Sequence, residues 1–322
     1  KNNFKLNFVN VNADGQLSLQ GSKVTSNSFT IGESDPPDGL TSRLTAYGKV
    51  QFQTNYLNVF QNGKLDGNAK GYGPEEGPGA GYYNTVTHKY SGGSHGGRGG
   101  WHVENRGALV MGYDDFRSPL DQGSGGARKN EGGAGGSAIV LNVNEEMVLD
   151  GIIDVNGGDS TGNYGGGGAG GTFYLVTKSY RGNGQISANG GETKQQSVGI
   201  TSKGGSGGGG RIAIHCTAQR SAPHTFNGTV TAFGGGRGRD SSYHTPYFNA
   251  APGTIYENCG EIKDRLIIDN NGIFPTEEGP TYITDSIDTN EERLSVISVN
   301  ELHLIGKSSL GIEPLNLGAG TK

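Results

Sequence analysis

Cysteine, tryptophan and proline are all scarce in this chain, with two Cys, one Trp and eleven Pro among 322 residues. Two cysteines leave the redox compartment open by count alone. So few prolines, with no strict Gly-X-Y period, exclude collagen. No run of about 18 apolar residues occurs, so no membrane-spanning helix is expected. A basic excess is also missing. Lys and Arg number 26 against 31 Asp and Glu, a net charge of −5. Nothing in that balance neutralises phosphates, and nucleic acid is a poor partner. Apolar residues other than Gly make up only 31% of the chain. Leu, Ile, Val and Phe together reach about a fifth, the border at which chains stop burying enough apolar surface.

What fills the chain instead is glycine, 61 residues in all. At about 1 kcal/mol per helical position, that content opposes a helical protein. The apolar residues are not scattered, as they would be in a uniform coil. They sit in short alternating runs, and the glycines collect between them, which reads as strands joined by Gly-rich links. The chain begins Lys1-Asn2-Asn3-Phe4 and ends Gly318-Ala319-Gly320-Thr321-Lys322. It reads as a processed product or a part of something longer.

One pattern recurs: Gly, a short period-2 strand, then a turn Gly. Clear copies are Gly151-Ile152-Ile153-Asp154-Val155-Asn156-Gly157, Gly184-Gln185-Ile186-Ser187-Ala188-Asn189-Gly190 and Gly228-Thr229-Val230-Thr231-Ala232-Phe233-Gly234. Earlier copies start at Gly15 and, more weakly, at Gly63. A second strand follows a glycine or Pro-Gly pair: Gly135-Gly136 before Ser137, Gly170-Gly171 before Thr172, Gly209-Gly210 before Arg211, and Pro252-Gly253 before Thr254. A unit of this kind cannot form a core alone, but stacked units can. The expected fold is therefore all-β, a parallel β-helix in which Ile153, Ile186 and Val230 form one ladder and Val155, Ala188 and Ala232 another.

The Gly-rich excursions, such as 92–100, 165–171 and 204–210, admit two readings. One is flexible linker. The other is ordered, polyproline-II-like segments bonded backbone to backbone. Their fixed phase in the repeat favours the second.

Leu65-Asp66-Gly67-Asn68-Ala69-Lys70-Gly71-Tyr72-Gly73, the 92–100 stretch and Gly208-Gly209-Gly210-Arg211-Ile212-Ala213-Ile214 resemble the Gly-rich repeat regions of large, mostly uncharacterised extracellular β-helical proteins. The resemblance covers roughly 57–258 and carries no catalytic residue with it. It implies a secreted or cell-surface structural or adhesive protein. Residues 1–258 form the expected Gly-rich solenoid. Residues 259–322, poorer in glycine and denser in acids, read as a β-rich continuation or the start of another module.

Few constellations carry chemistry. Asp114-Asp115, near Arg117 and Pro119, echoes the clustered carboxylates of polysaccharide-active β-helices, but reads first as a solvated turn. His88, His95, His102, His215, His224, His244 and His303 show no metal spacing. Gly234-Gly235-Gly236-Arg237-Gly238-Arg239-Asp240 only echoes a calcium nonapeptide. No cofactor or metal is expected. Trp101 reads as a packing anchor before a sugar-stacking platform. Asn227-Gly228-Thr229 is an N-glycosylation sequon.

Aligning Gly210 with Gly253 matches Cys216 to Cys259, about 4.8 Å apart in a parallel stack. That separation lies within disulfide range, and a bond there would mark an oxidising, extracellular compartment. The expected function is a non-catalytic extracellular building block of a fibre, matrix or sheath. Its partners would be copies of itself, neighbouring modules or polysaccharide. A carbohydrate-binding adhesin or a β-helical polysaccharide-active enzyme is the alternative.

Overall fold

The structure is a computed structural model. It describes residues 3–12, 14–36, 39–84, 89–101, 111–162, 164–193, 204–217, 226–236, 249–260, 262–273, 281–282 and 298–311. In chain order the strands are β1 (Asn3–Lys5), β2 (Phe8–Val11), β3 (Gln16–Gln20), β4 (Lys23–Thr25), β5 (Ser28–Ile31), β6 (Ser42–Tyr47), β7 (Lys49–Val59), β8 (Gly63–Asp66), β9 (Tyr83–Asn84), β10 (Lys89–Tyr90), β11 (Ala138–Leu149), β12 (Ile152–Asp154), β13 (Thr172–Arg181), β14 (Gln185–Ser187), β15 (Arg211–Cys216), β16 (Thr229–Thr231), β17 (Thr254–Cys259), β18 (Ile262–Asp269), β19 (Thr281–Tyr282), β20 (Glu301–Ile305) and β21 (Leu310–Gly311). No helix occurs among the described residues.

Two sheets dominate. The larger has eleven strands, with a path β1-β4-β7-β11-β13-β15-β17-β18-β20, and the smaller runs β16-β14-β12-β8-β6-β3. Period-2 alternation sends one side chain in two inward, and parallel pairing lines those side chains up across strands. Val50, Ile139, Phe173, Ile212 and Ile255 stand in register along the larger sheet. Leu17, Leu44, Leu65, Ile153, Ile186 and Val230 do so along the smaller one. Both ladders belong to one apolar core. Burying each such side chain fully stabilises by about 1.5–3 kcal/mol.

The closed parallel β-helix expected from the repeat is not the fold. The two sheets do not close into a solenoid, and β17 pairs with β18 in the antiparallel sense. The fold is a mixed one, two chiefly parallel sheets with a separate layer of glycine segments. One start is also displaced: Ala138, not Ser137, stands opposite Thr172. The physical reason lies in the glycine segments, which do not return as a third wall of strands. Gly166 and Ala169 donate to Ala127 and Ser124; Gly167 and Gly170 donate to Gly205 and Gly208; Gly168 and Gly171 donate to Gly158 and Val155. The donors thus repeat every three residues and aim in three directions, as in an extended threefold chain, whereas a strand has a period of two. Gly205 and Gly208 repeat the pattern toward Tyr90 and Gly93, and Gly207 and Gly210 toward Gly191 and Ala188. Bonding on several sides weaves segments from distant units into one block.

No glycine of 165–171 or 204–210 has a positive φ. Conformational freedom is therefore not what these positions need. A Cβ on Gly205 would run into the Gly100 carbonyl oxygen, and one on Gly170 into that of Ala188. Only a residue without a Cβ lets the backbones approach so closely. Gly170→Ala and Gly205→Ala are expected to destabilise by roughly 1–3 kcal/mol each, the range of overpacking in a rigid interior. Gly272, at φ +74° with nothing within 4 Å of a Cβ, is expected to tolerate Asn, which adopts left-handed φ, at a cost under ~0.5 kcal/mol. Urea melts of the three variants test the contrast.

Candidate functional site

The outer face of the larger sheet is crossed by the segment 113–121, which sheet side chains clamp through its carbonyls. Arg211 Nε donates to Tyr113 O at 2.8 Å, and Thr172 Oγ1 to Asp121 O at 2.6 Å. His215 Nε2 lies 2.6 Å from Arg117 O. Arg211 occupies a strand position that its in-register neighbours fill with Thr172 and Thr254. Its Nη1 donates to Thr254 Oγ1 at 3.1 Å. Burial pulls the guanidinium down to about 10, against the opposing pull of Asp114, Asp115 and Tyr113.

Asp114 is the centre of this cluster, and it is not the solvated turn residue expected from the sequence. Its side chain is 9% exposed. Oδ2 accepts the N–H groups of Leu120 and Asp121, each at 2.8 Å, and faces His95 Nε2 at 3.5 Å. Oδ1 accepts the Asp115 N–H at 2.9 Å. Asp115 in turn accepts the N–H groups of Arg117 and Ser118. The acidic pair staples a tight turn through its own side chains. His95 is fully buried under the glycine layer, where Nδ1 donates to the Gly170 carbonyl at 2.8 Å. Tyr113 packs on the His95 ring at 4.7 Å between centroids, and its hydroxyl bonds Gln122 O and Ser124 Oγ. Burial pushes the Tyr113 phenol far up.

Such a cluster can hold charge but offers no nucleophile–base pair open to a substrate. Its chemistry is that of a clasp between sheet and glycine layer. The signal in the sequence was Arg211 at a position where the neighbouring units have Thr172 and Thr254, together with Asp114-Asp115 before Ser118-Pro119.

The other expected site residues are spread over the molecule. The structure joins Cys216 and Cys259 in a disulfide with a Cα–Cα distance of 4.6 Å. The register beside it, Arg211 to Thr254 through His215 to Asn258, places the cysteines one strand apart. Asn227 is exposed, at the turn into β16. Trp101 is 3% exposed and has Arg98 stacked on its ring at 4.6 Å. A sugar platform needs an open ring face; this ring is a packing anchor instead. His303 lies at the surface beside Glu301. His88, His102, His224, His244 and residues 237–240 lie outside the described residues. Among the described residues no three metal-ligating side chains gather, and no helix is long and apolar enough to cross a membrane. The chain matches no family model, no curated protein and no solved structure.

Two tests follow from this geometry. For Asp114, burial raises the pKa, but His95 Nε2 at 3.5 Å, the Asp121 N–H and the Arg211 guanidinium together hold it below the usual carboxylate range. A carboxyl lowered in the folded state stabilises the fold at any pH above its unfolded value, about 3.9, and that contribution disappears as pH falls through the lower folded value. Asp114→Asn is expected to cost about 3 kcal/mol at neutral pH, as for a broken buried pair, and to flatten the acid limb of the stability curve. Urea melts from pH 7 down to pH 3 read both effects. For the disulfide, which closes a separation of 43 residues, reduction or Cys216→Ser with Cys259→Ser is expected to remove about 4 kcal/mol in the chain-entropy view. Denaturant midpoints with and without reductant measure it.

Proposed function

We propose that the protein is a non-catalytic structural protein of the extracellular space, a building block of a fibre, matrix or sheath. The carrying observation is the state of the two ends that the larger sheet has among the described residues. At one end lie β1 and the residue after it, with Phe4 43% and Leu6 49% exposed. At the other lies β20, with Leu302 45%, Leu304 49% and Ile305 47% exposed. A sheet edge offers unsatisfied N–H and C=O groups to a further strand, and here each edge also carries apolar side chains. β1 and β17 run in one direction, while β18 and β20 run in the other. Joining one end to the other end of a second copy would therefore make an antiparallel pair. Such a head-to-tail contact is heterologous and builds a filament when the rotation between copies does not close a ring.

The disulfide supports an oxidising compartment, and the exposed Asn227 is reachable by a glycosylation machinery. The glycine layer adds rigidity without a large side-chain core. Concentrated protein is expected to form filaments by negative-stain microscopy and to sediment as a concentration-dependent series. Phe4→Lys and Leu304→Lys should each leave it monomeric with an unchanged melting temperature. A wild-type chain that stays monomeric throughout would sink the reading.

A further inference from the structure

The structure carries a cationic groove apart from the clasp, beside the β1 end of the larger sheet. It is a cavity of about 750 Å³ where the turns after β3 and β6 meet the link after β8. Lys23, Lys49 and Lys70 line it together with Tyr47, and no described lining residue is acidic. This sits oddly with the rest of the molecule, whose net charge is −5. Several cations elsewhere are matched: Lys64 with Asp154, Arg128 with Glu131, Lys178 with Glu145, Arg181 with Glu146 and Arg265 with Glu257. None of the three groove lysines pairs with a carboxylate among the described residues. Three like charges converging on one concavity raise its local potential and favour an anion there.

The remaining lining narrows the class of anion. Tyr47 is 40% exposed, with the Lys70 ammonium 5.1 Å from its ring centroid. That ammonium lies over one face of the ring, and the exposed remainder is an apolar surface of the kind on which a sugar ring stacks. Gln20, Gln51 and Gln122 add amides that both donate to and accept from hydroxyls. The surface continues beyond the cavity in the same chemistry. Asn3, Lys23 and Gln51 stand in register across β1, β4 and β7, and Lys5, Thr25, Gln53 and Asn142 stand in register two residues on. Asn144 and Asn27 are each bonded to Asn55 by side-chain hydrogen bonds, at 2.7 and 2.8 Å. A compact anion needs only the ammonium groups. A row of amides and one aromatic face beside them suits an extended, hydroxyl-rich polymer.

We infer that this groove binds an acidic polysaccharide, its carboxylate or sulfate groups held by Lys23, Lys49 and Lys70 and one sugar ring laid on Tyr47. The inference is independent of assembly, because the groove is complete within one chain.

Binding of the full chain to polygalacturonate, dextran sulfate, neutral dextran and oligothymidine, followed by calorimetry, tests it. Binding to one or both acidic glycans, and not to neutral dextran, is expected; which one binds distinguishes carboxylate from sulfate. Changing Lys23, Lys49 and Lys70 together to Gln should weaken that binding at least about tenfold. The same charge change at Lys129, Lys178 and Lys263 should leave it within about twofold, since exposed charges beyond a Debye length are screened. Tyr47→Ala should weaken binding of the acidic glycan with an unchanged melting temperature. No binding of either acidic glycan overturns the inference. So does an equal loss in the two lysine triples, or oligothymidine binding as tightly as the glycan and losing as much in the groove variant.

Discussion

Everything in this molecule depends on how closely one backbone can approach another when no Cβ stands between them. Ordering a glycine costs more backbone entropy than ordering any other residue. A segment such as 165–171 is ordered only because its amides find partners in three directions, and because its carbonyls accept from Gly93, Gly133, Gly136 and Gly191. Each hydrogen bond contributes roughly 0.5–1.5 kcal/mol net, so a segment bonded on one side would not offset its own ordering. The block is therefore cooperative: removing one segment leaves buried N–H and C=O groups of its neighbours unsatisfied. The low apolar content follows from the same constraint. Part of the interior is backbone, and it needs no leucine.

A block of backbone has no side chains with which to grip a sheet, so the grip is concentrated in a few residues. His95 reaches the Gly170 carbonyl from inside the glycine layer, Asp114 faces His95, and Arg211 reaches across from the sheet to Tyr113. Buried charge is costly unless it is paired and hydrogen-bonded. The Asp114 turn supplies those bonds from its own backbone, so the charge is accommodated before the sheet and the layer meet. Phe116 and Ala213, both fully buried, close the apolar side of the same contact with Tyr256, Leu266 and Ile268.

The strands were legible because their information is local. Period-2 runs bounded by glycine, such as Ile152-Ile153-Asp154 and Arg211-Ile212-Ala213-Ile214, form strands in the structure. The ladder of Ile153, Ile186 and Val230 is in register. The closed solenoid was a wrong extrapolation. It followed from stacking the two-strand units alone, whereas a glycine run carries no side-chain pattern that names its neighbours. Nothing in the composition of 165–171 says that it will meet 123–127 and 204–208. Asp114 was misread for a related reason: two adjacent acids look solvated until the partners that bury them arrive, nineteen residues back at His95 and 97 residues on at Arg211.

The position of the disulfide follows from how the stack ends. From β11 onward, the chain between in-register starts lengthens from Ala138–Thr172 to Thr172–Arg211 to Arg211–Thr254. Longer closed loops cost more entropy to form, so the last parallel pairing in this series is the least favoured by connectivity. It is also the pairing with least support beyond it, because β17 is followed by the antiparallel β18 and not by another parallel strand. Cys216 and Cys259 tie this one pair together, at the strand ends where fraying would begin, and both pack in the main apolar core. A covalent link is worth most where the loop it closes is long and the neighbouring ladder stops. The two cysteines of the chain stand at a place where both conditions are met.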